Sequence, residues 1–205
     1  LFVKQDSSNH LLRMKDSKHR LPMDVAGCEL MEIKHMHLER GPNGLHDHKT
    51  IQKIKDREDT LRVLVNNHYN DDGTSHSPSH ECPVLRVLQS QLCWGAYLGW
   101  TEVVNKALKY ATLRVQQGQQ TIKYNWSYIY GQEGRTALHF ASLMGSNDVI
   151  DELIKYHRLH YQGMNIKLMP TPMCGPDHHG NTPLHLASMY SNFPNYGPNV
   201  STIRR

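Results

Sequence analysis

Residues 134–145 of this chain, Gly-Arg-Thr-Ala-Leu-His-Phe-Ala-Ser-Leu-Met-Gly, recur at residues 180–191 as Gly-Asn-Thr-Pro-Leu-His-Leu-Ala-Ser-Met-Tyr-Ser, with six of the twelve positions identical. Corresponding residues of the two stretches are 46 positions apart, as Leu138 and Leu184 illustrate. The same offset counted backwards from Leu138 reaches Leu92, which opens the run Leu-Cys-Trp-Gly-Ala-Tyr-Leu-Gly. A fixed offset of this size indicates an internal structural repeat.

A second apolar segment follows the glycine of the first two units. Residues 102–108 and 148–154 begin three positions after Gly99 and Gly145, respectively. Within the latter segment, apolar residues recur at the spacing of one helix face; they are Val149, Ile150, Leu153 and Ile154. The pattern therefore predicts a unit of two short helices joined by a glycine turn.

This pattern resembles the ankyrin repeat, in which a Gly-x-Thr-Pro-Leu-His-x-Ala run opens the first helix. Residues 180–187 match that run in full, and residues 134–141 match it with alanine in place of proline. The resemblance implies two clear units at 132–157 and 178–192. A weaker third unit at 90–110 lacks the threonine and the histidine.

The resemblance also implies a structural role for the motif residues. Thr136 and Thr182 would cap the first helices with their hydroxyl groups. His139 and His185 would hydrogen-bond to these threonines and to neighbouring backbone. Gly145 would permit the sharp turn between the two helices. The two histidines are therefore interpreted as parts of the scaffold and not as catalytic residues.

The spacing departs from the family pattern, because the ankyrin period is about 33 residues and the offset here is 46. The additional residues fall at 111–131 and 158–176, where the family has its connecting hairpins. We therefore expect a mostly helical fold with a short ankyrin-like stack and long β-hairpin or loop inserts over residues 83–205. Residues 1–82 would form a helical or irregular N-terminal extension.

Two helices are predicted within this extension. The first spans residues 24–39, and its buried face would comprise Val25, Cys28, Met31 or Glu32, and His35. The second spans residues 50–67, with Thr50 as the N-cap. Its apolar stripe would comprise Ile51, Ile54, Leu61, Leu64 and Val65. Pro83 suits the first turn of the helix that leads into the repeats.

The insert at 112–130 holds most of the candidate partner-binding residues. Residues 116–120, Gln-Gln-Gly-Gln-Gln, are typical of a turn between two extended arms, and alternate positions of the second arm are apolar or aromatic. Because Tyr and Trp are favoured anchors of protein interfaces, five aromatic residues are predicted to bind a protein partner. They are Tyr124, Trp126, Tyr128, Tyr130 and, outside the insert, Trp100. Packing of the insert aromatics on the N-terminal helices of the chain itself is an open alternative.

Histidine is common, with 15 residues, and three short clusters contain metal-ligand types. They are His76, His80 and Cys82; Cys28, Glu32 and His35 at helical spacing; and the run His46, Asp47 and His48. Structural zinc sites usually combine two close pairs of ligands, and the sequence offers no second pair to complete any of these clusters. We therefore predict no metal and no other cofactor.

The chain contains no P-loop, dinucleotide-binding, nucleophile-elbow or H-E-x-x-H signature. Carboxylates such as Asp177 lie at repeat turns, without a partner that the sequence can name. We therefore predict that the chain is not an enzyme. Its function would be that of a protein–protein interaction module, an accessory or scaffold subunit of a larger assembly.

Composition limits the class of protein and the compartment that the sequence allows. The 205 residues carry a net charge of +4, and no apolar run approaches the length of a membrane span. Four separated cysteines favour a reducing, intracellular compartment, and both the cytosol and an organelle interior such as the mitochondrion remain open.

Two other functions are considered. One is an RNA-contacting subunit of a ribonucleoprotein, which would use the basic residues near both ends: Lys4, Arg13, Lys15, Lys18, Arg20, Arg204 and Arg205. Because the positive charge is modest, nucleic acid is not the favoured partner. The other is a metal-dependent enzyme that uses the N-terminal histidines.

Overall fold

The computed structural model describes residues 14–17, 20–39, 48–67, 83–116, 134–161 and 175–190. Within these ranges the chain is mostly helical and contains no strand. The helices are α1 (Pro22–Glu39), α2 (His48–Asn67), α3 (Pro83–Tyr97), α4 (Thr101–Gln116), α5 (Ala137–Met144), α6 (Asn147–Tyr161) and α7 (Pro183–Tyr190). The chain divides into two compact units, Leu1–Val87 and Leu88–Arg205.

In the first unit, α1 packs against α2. The backbone N–H of Leu21 donates to the carboxylate of Asp24 at 2.9 Å, which satisfies one of the donors left open at a helix start. Ion pairs between the two helices join Lys34 to Glu58 and Arg57 to Glu29.

The structure corrects two predictions for this unit. The buried apolar residues of α1 are Met23, Ala26, Leu30 and Ile33, whereas the predicted face carries half-buried residues and the exposed His35. The predicted face was wrong because the helix begins earlier and its most continuous apolar stripe starts at Met23. In α2, Leu61 and Val65 are buried as predicted. The helix begins at His48, so Thr50 lies in its first turn and is not the N-cap.

The second unit repeats the same turn at the predicted offset of 46 residues. Gly99 and Gly145 both adopt left-handed backbone, with φ of 66° and 67°. Trp100 N–H donates to the Gly95 carbonyl at 2.8 Å, and Ser146 N–H donates to the Ala141 carbonyl at 2.9 Å. Both turns therefore satisfy the last carbonyls of a helix in the same way, and the weak unit at 90–110 is built like the clear one.

Helix packing in this unit follows the repeat. An aromatic cluster joins α3 to α5, with ring centroids of Trp94 and Phe140 separated by 5.5 Å and those of Tyr97 and Phe140 by 6.2 Å. Helix α5 also packs on α6 and α7, and α4 packs on α6. Gly95 stands where the other units have alanine, because a Cβ there would lie 3.2 Å from the Val103 side chain. The first helices α3, α5 and α7 therefore follow one another side by side.

The long β-hairpin inserts are not supported in the part of the chain that the structure describes. Helix α4 continues to Gln116, so the predicted extended arm before residue 116 is wrong. The apolar spacing of α4 extends into this segment through Leu113, and helix propagation is favourable once the first turn has formed. Helix α6 likewise continues to Tyr161. Residues 117–133 and 162–174, which hold most of both inserts, lie outside the described residues. None of the described helices combines the length and apolar character that crossing a bilayer requires.

Candidate functional site

The start of α5 is a hydrogen-bonded cap built from the repeat motif. Thr136 is the N-cap residue, and its hydroxyl accepts from the His139 backbone N–H. The Thr136 backbone N–H in turn donates to Nδ1 of His139 at 3.1 Å. Because Nδ1 is an acceptor, the hydrogen-bond network assigns the ring proton to Nε2. The cap therefore holds His139 with a donor aimed away from its own helix.

The next unit supplies the acceptor for this donor. Nε2 of His139 lies 3.0 Å from the backbone carbonyl oxygen of Asn181, 42 residues further along the chain. The Asp177 carboxylate shapes the turn that presents this carbonyl, because its Oδ1 accepts from the backbone N–H groups of His179 and Asn181 at 2.9 and 2.8 Å. Arg135 pairs with the other carboxylate oxygen at 3.4 Å. The His139–Asn181 hydrogen bond and the Arg135–Asp177 ion pair thus join the two units.

Burial determines the protonation of this junction. His139 is 0% exposed, and burial lowers its pKa below the ordinary value, although the Asn181 carbonyl and the Asp177 charge act in the opposite direction. Burial alone would raise the pKa of Asp177. The backbone donors of Asn181 and His179 and the Arg135 guanidinium outweigh that effect, so the pKa of Asp177 lies below its ordinary value. Neutral His139 and ionised Asp177 are the forms that fit the junction.

The motif at α7 repeats the cap. The Thr182 backbone N–H donates to Nδ1 of His185 at 3.2 Å, and Thr182 Oγ1 lies 2.7 Å from the same nitrogen. The ring is therefore held in the same orientation as that of His139. His185 is exposed, and none of the described residues accepts a hydrogen bond from its Nε2.

The exposed side of α7 corresponds to a buried side of α5. Leu138 is 5% exposed, whereas Leu184 is 56% exposed, and Leu143 is 6% exposed, whereas Met189 is 55% exposed. His185 and Ser188 are exposed as well. On the opposite side, Leu186 and Ala187 are buried. We call the surface formed by Leu184, His185, Ser188 and Met189 the α7 face.

The structure places only one of the predicted partner-binding residues. Trp100 is half-buried in the turn between α3 and α4. Tyr124, Trp126, Tyr128 and Tyr130 lie outside the described residues, and so do His76, His80 and Cys82. Cys28, Glu32 and His35 lie on α1, and no group of three potential metal ligands occurs among the described residues.

The motif residues lie at the two ends of α5 and at the start of α7. Thr136, His139 and Gly145 cap and end α5, and Thr182 and His185 form the start of α7. Sequence reasoning missed the pairing of Asp177 with Arg135 and the exposure of the α7 face.

The family model for ankyrin repeats in three copies matches residues 92–196. No curated protein and no solved structure matches the chain. Ankyrin repeats mediate binding to protein partners and are generally non-catalytic. The match covers just over half of the chain, and the glycine turns, threonine caps and paired helices described above agree with it. The chain belongs to the ankyrin-repeat family.

Proposed function

We propose that this chain is a non-catalytic accessory or scaffold subunit that binds a protein partner through the α7 face. The observation that carries the proposal is the contrast between two copies of one motif: the side of α5 that is buried by its neighbour is exposed on α7. The face combines two large apolar side chains with one oriented donor, and interface cores are typically built from such groups.

The energy available at this face is sufficient for recognition. Complete burial of a Leu or Met side chain is worth about 1.5–3 kcal/mol, and binding hot spots contribute about 2 kcal/mol or more. Leu184 and Met189 lie five residues apart on a short helix that is anchored by the burial of Leu186 and Ala187. Little backbone entropy is therefore lost when a partner covers them.

A capture experiment with two matched variants tests this proposal. Leu159 on α6 is 64% exposed, so L159E changes an exposed leucine away from the α7 face, whereas L184E changes one within it. A charge within a buried interface opposes binding. We expect L184E to reduce the partner recovered from native extract at least tenfold, which corresponds to about 1.4 kcal/mol, and L159E to recover as much as wild type.

Circular dichroism on both variants is the folding control, because each replaced side chain is exposed and each variant should keep its helix content. Equal recovery of the partner by L184E and wild type would exclude the α7 face as the binding surface.

We propose the aromatic residues of the 112–130 segment as a second contact surface in the same assembly. Four of them alternate along the sequence, namely Tyr124, Trp126, Tyr128 and Tyr130, and Trp100 opens the helix that leads towards them. Aromatic residues are over-represented among hot spots because they bury a large area at a small entropic cost.

A triple variant tests this second surface. Changing Tyr124, Trp126 and Tyr128 to alanine should abolish capture of one or more partners and leave the helix content unchanged. If the triple variant loses helix content, the aromatics belong to the core of the chain. Unchanged capture by a folded triple variant would eliminate this surface.

A further inference from the structure

The first unit contains a cavity of about 350 Å³ between the segment that precedes α1 and the helices α1 and α2. Its apolar lining comes from Met14, Pro22, Val25 and Ala26, and two acidic and two basic side chains complete it. Ligand sites in proteins are clefts of about 300–1,000 Å³ that combine an apolar lining with a few polar groups. The cavity lies outside residues 92–196, which the ankyrin-repeat model matches.

One wall of the cavity is a closed loop that precedes α1. The Arg20 backbone N–H donates to Oδ1 of Asp16 at 2.8 Å, and Nε of Arg20 donates to Oδ2 of the same carboxylate at 2.8 Å. The Asp16 backbone N–H donates to the Arg20 carbonyl oxygen at 3.0 Å. Because backbone and side chains bind each other within the loop, this wall is preformed and its two charges compensate one another.

The opposite wall carries the second acid and base, which come from different helices. Nη2 of Arg57 on α2 lies 3.2 Å from Oε2 of Glu29 on α1, and the two side chains are 42% and 44% exposed. This contact uses one of the N–H donors of the guanidinium, the planar fork of which suits two-point contact with a carboxylate. Arg57 and Glu29 can therefore each bind a further charged group at the edge of the cavity.

This adjacent pair of opposite charges selects among ligands. A ligand with a carboxylate alone would draw Arg57 away from Glu29 and bring two carboxylates together, and like charges at close range oppose ionisation. A ligand with an amine alone would place its cation beside the guanidinium. A zwitterion avoids both conflicts, because its carboxylate can bind Arg57 while its ammonium group binds Glu29.

The apolar lining and the volume define the rest of the ligand. Ala26 is buried and Val25 is half-buried on α1, so the floor of the cavity is a fixed helix surface. Met14 is 53% exposed at the cavity, and its flexible thioether adapts to ligands of different shape. Since a water molecule occupies about 30 Å³ in the liquid, the cavity has room for about ten non-hydrogen atoms. Leucine and methionine are of that size.

We propose that this cavity binds a free α-amino acid with an aliphatic side chain, such as leucine. Arg57 holds the α-carboxylate, Glu29 holds the α-ammonium group, and the ligand side chain lies against Val25 and Ala26. Burial of the ligand side chain provides affinity, and the charge pair provides selectivity. The inference is independent of the proposed protein binding at α7, because the cavity belongs to the first unit and α7 to the second.

Titration of the full chain with L-leucine tests this proposal. The methyl resonances of Met14 and Val25, observed by NMR after isotope labelling, should shift saturably. Leucinamide and N-acetylleucine are the matched probes, since each keeps the leucine side chain and one of the two charges, and each resembles one terminus of a peptide. We expect each probe to bind the wild-type chain about tenfold more weakly than leucine, or weaker still.

Variants of the cavity provide a second comparison. R57Q and E29Q each remove one charged partner of the ligand and should weaken leucine binding about tenfold or more, and V25W should abolish it by filling the cavity. E58Q is the matched control, because it removes the other ion pair between α1 and α2 and Glu58 does not line the cavity. It should bind leucine as the wild-type chain does, and circular dichroism should show the same helix content in every variant.

The absence of a saturable shift with leucine in the wild-type chain would overturn the proposal, and so would wild-type affinity in either R57Q or E29Q. If N-acetylleucine or leucinamide binds as tightly as leucine, the cavity accepts the terminus of a peptide and the assignment to a free amino acid is wrong. Since the three probes are compared on the wild-type chain, this result does not depend on the folding of any variant.

Discussion

His139 and His185 occupy the same motif position, yet only the first is enclosed by its surroundings. Nδ1 is an acceptor in both, fixed by the backbone N–H of a threonine. His139 is buried against Asn181 and near Asp177, whereas His185 is exposed. Whether the motif histidine is buried thus depends on which residue lies opposite its Nε2 and not on the motif itself.

The buried histidine predicts a pH-dependent stability. Burial lowers the folded-state pKa of His139 below 6.5, so the unfolded chain binds more protons as the pH falls below that value, and the free energy of unfolding decreases with it. The part of the free energy of unfolding that depends on neutral His139 is fully present above pH 6.5. Burial lowers the pKa of His157 as well, which adds to the same slope.

Urea unfolding at several pH values checks this prediction in wild type, H139Q and H157Q. Each variant should show a smaller loss of stability between pH 7 and pH 5 than wild type. A full wild-type slope in H139Q would show that His139 does not titrate in the way that its burial implies.

Asp177 is the second residue at the junction with a testable effect. Its carboxylate accepts two backbone N–H groups and faces Arg135, and its side chain is 0% exposed. Because hydrogen bonds to charged groups contribute about 1.5–3 kcal/mol, D177A should lower the free energy of unfolding by roughly that amount. D59A on the exposed side of α2 is the control and should change it by less than about 0.5 kcal/mol. Similar effects of the two variants would refute the role of Asp177.

At the scale of helices, α5 and α7 share four of their eight residues and differ in what covers them. Residues 137–143 of α5 are all buried, whereas α7 is buried on one side only. A helix that is apolar on every side requires neighbours on every side. The packing of each helix therefore follows its position in the stack.

The matched leucines of these helices provide a direct stability test. L138A removes a buried side chain and should cost about 2–5 kcal/mol, because it leaves a cavity between α5 and its neighbours. L184A removes an exposed side chain at the equivalent position and should cost less than about 0.5 kcal/mol. Chemical denaturation of both variants measures the difference. Equal costs would mean that Leu184 is buried in solution.

Much of the local structure could be predicted from the sequence. The motif at 134–145 specifies its own cap and turn, since Thr136, His139 and Gly145 act within one helix and its ends. The face of α1 was predicted wrongly, because the helix begins at Pro22 and its most continuous apolar stripe starts at Met23, before the predicted first residue. The exposure of the α7 face could not be predicted, because Leu138 and Leu184 have similar sequence contexts and differ in what packs against them.

At the scale of the molecule, the second unit is a stack of repeats. Its first helices α3 and α5 are buried, whereas one side of α7 is exposed. Tyr97 and Trp94 are 2% and 1% exposed, so α3 offers no aromatic surface to a partner. A stack of repeats buries each unit by its neighbours. We therefore propose that protein binding occurs at the exposed side of α7.

The most direct test of this claim is photo-crosslinking from the α7 face. A photoreactive amino acid replaces Met189 in one sample and Leu159 on α6 in the other, since both side chains are more than half exposed. After irradiation in native extract, we expect position 189 to give a discrete crosslinked protein. We expect this product to be missing from position 159 and to be lost when L184E is also present. The same products from both positions, or no product from position 189, would contradict it.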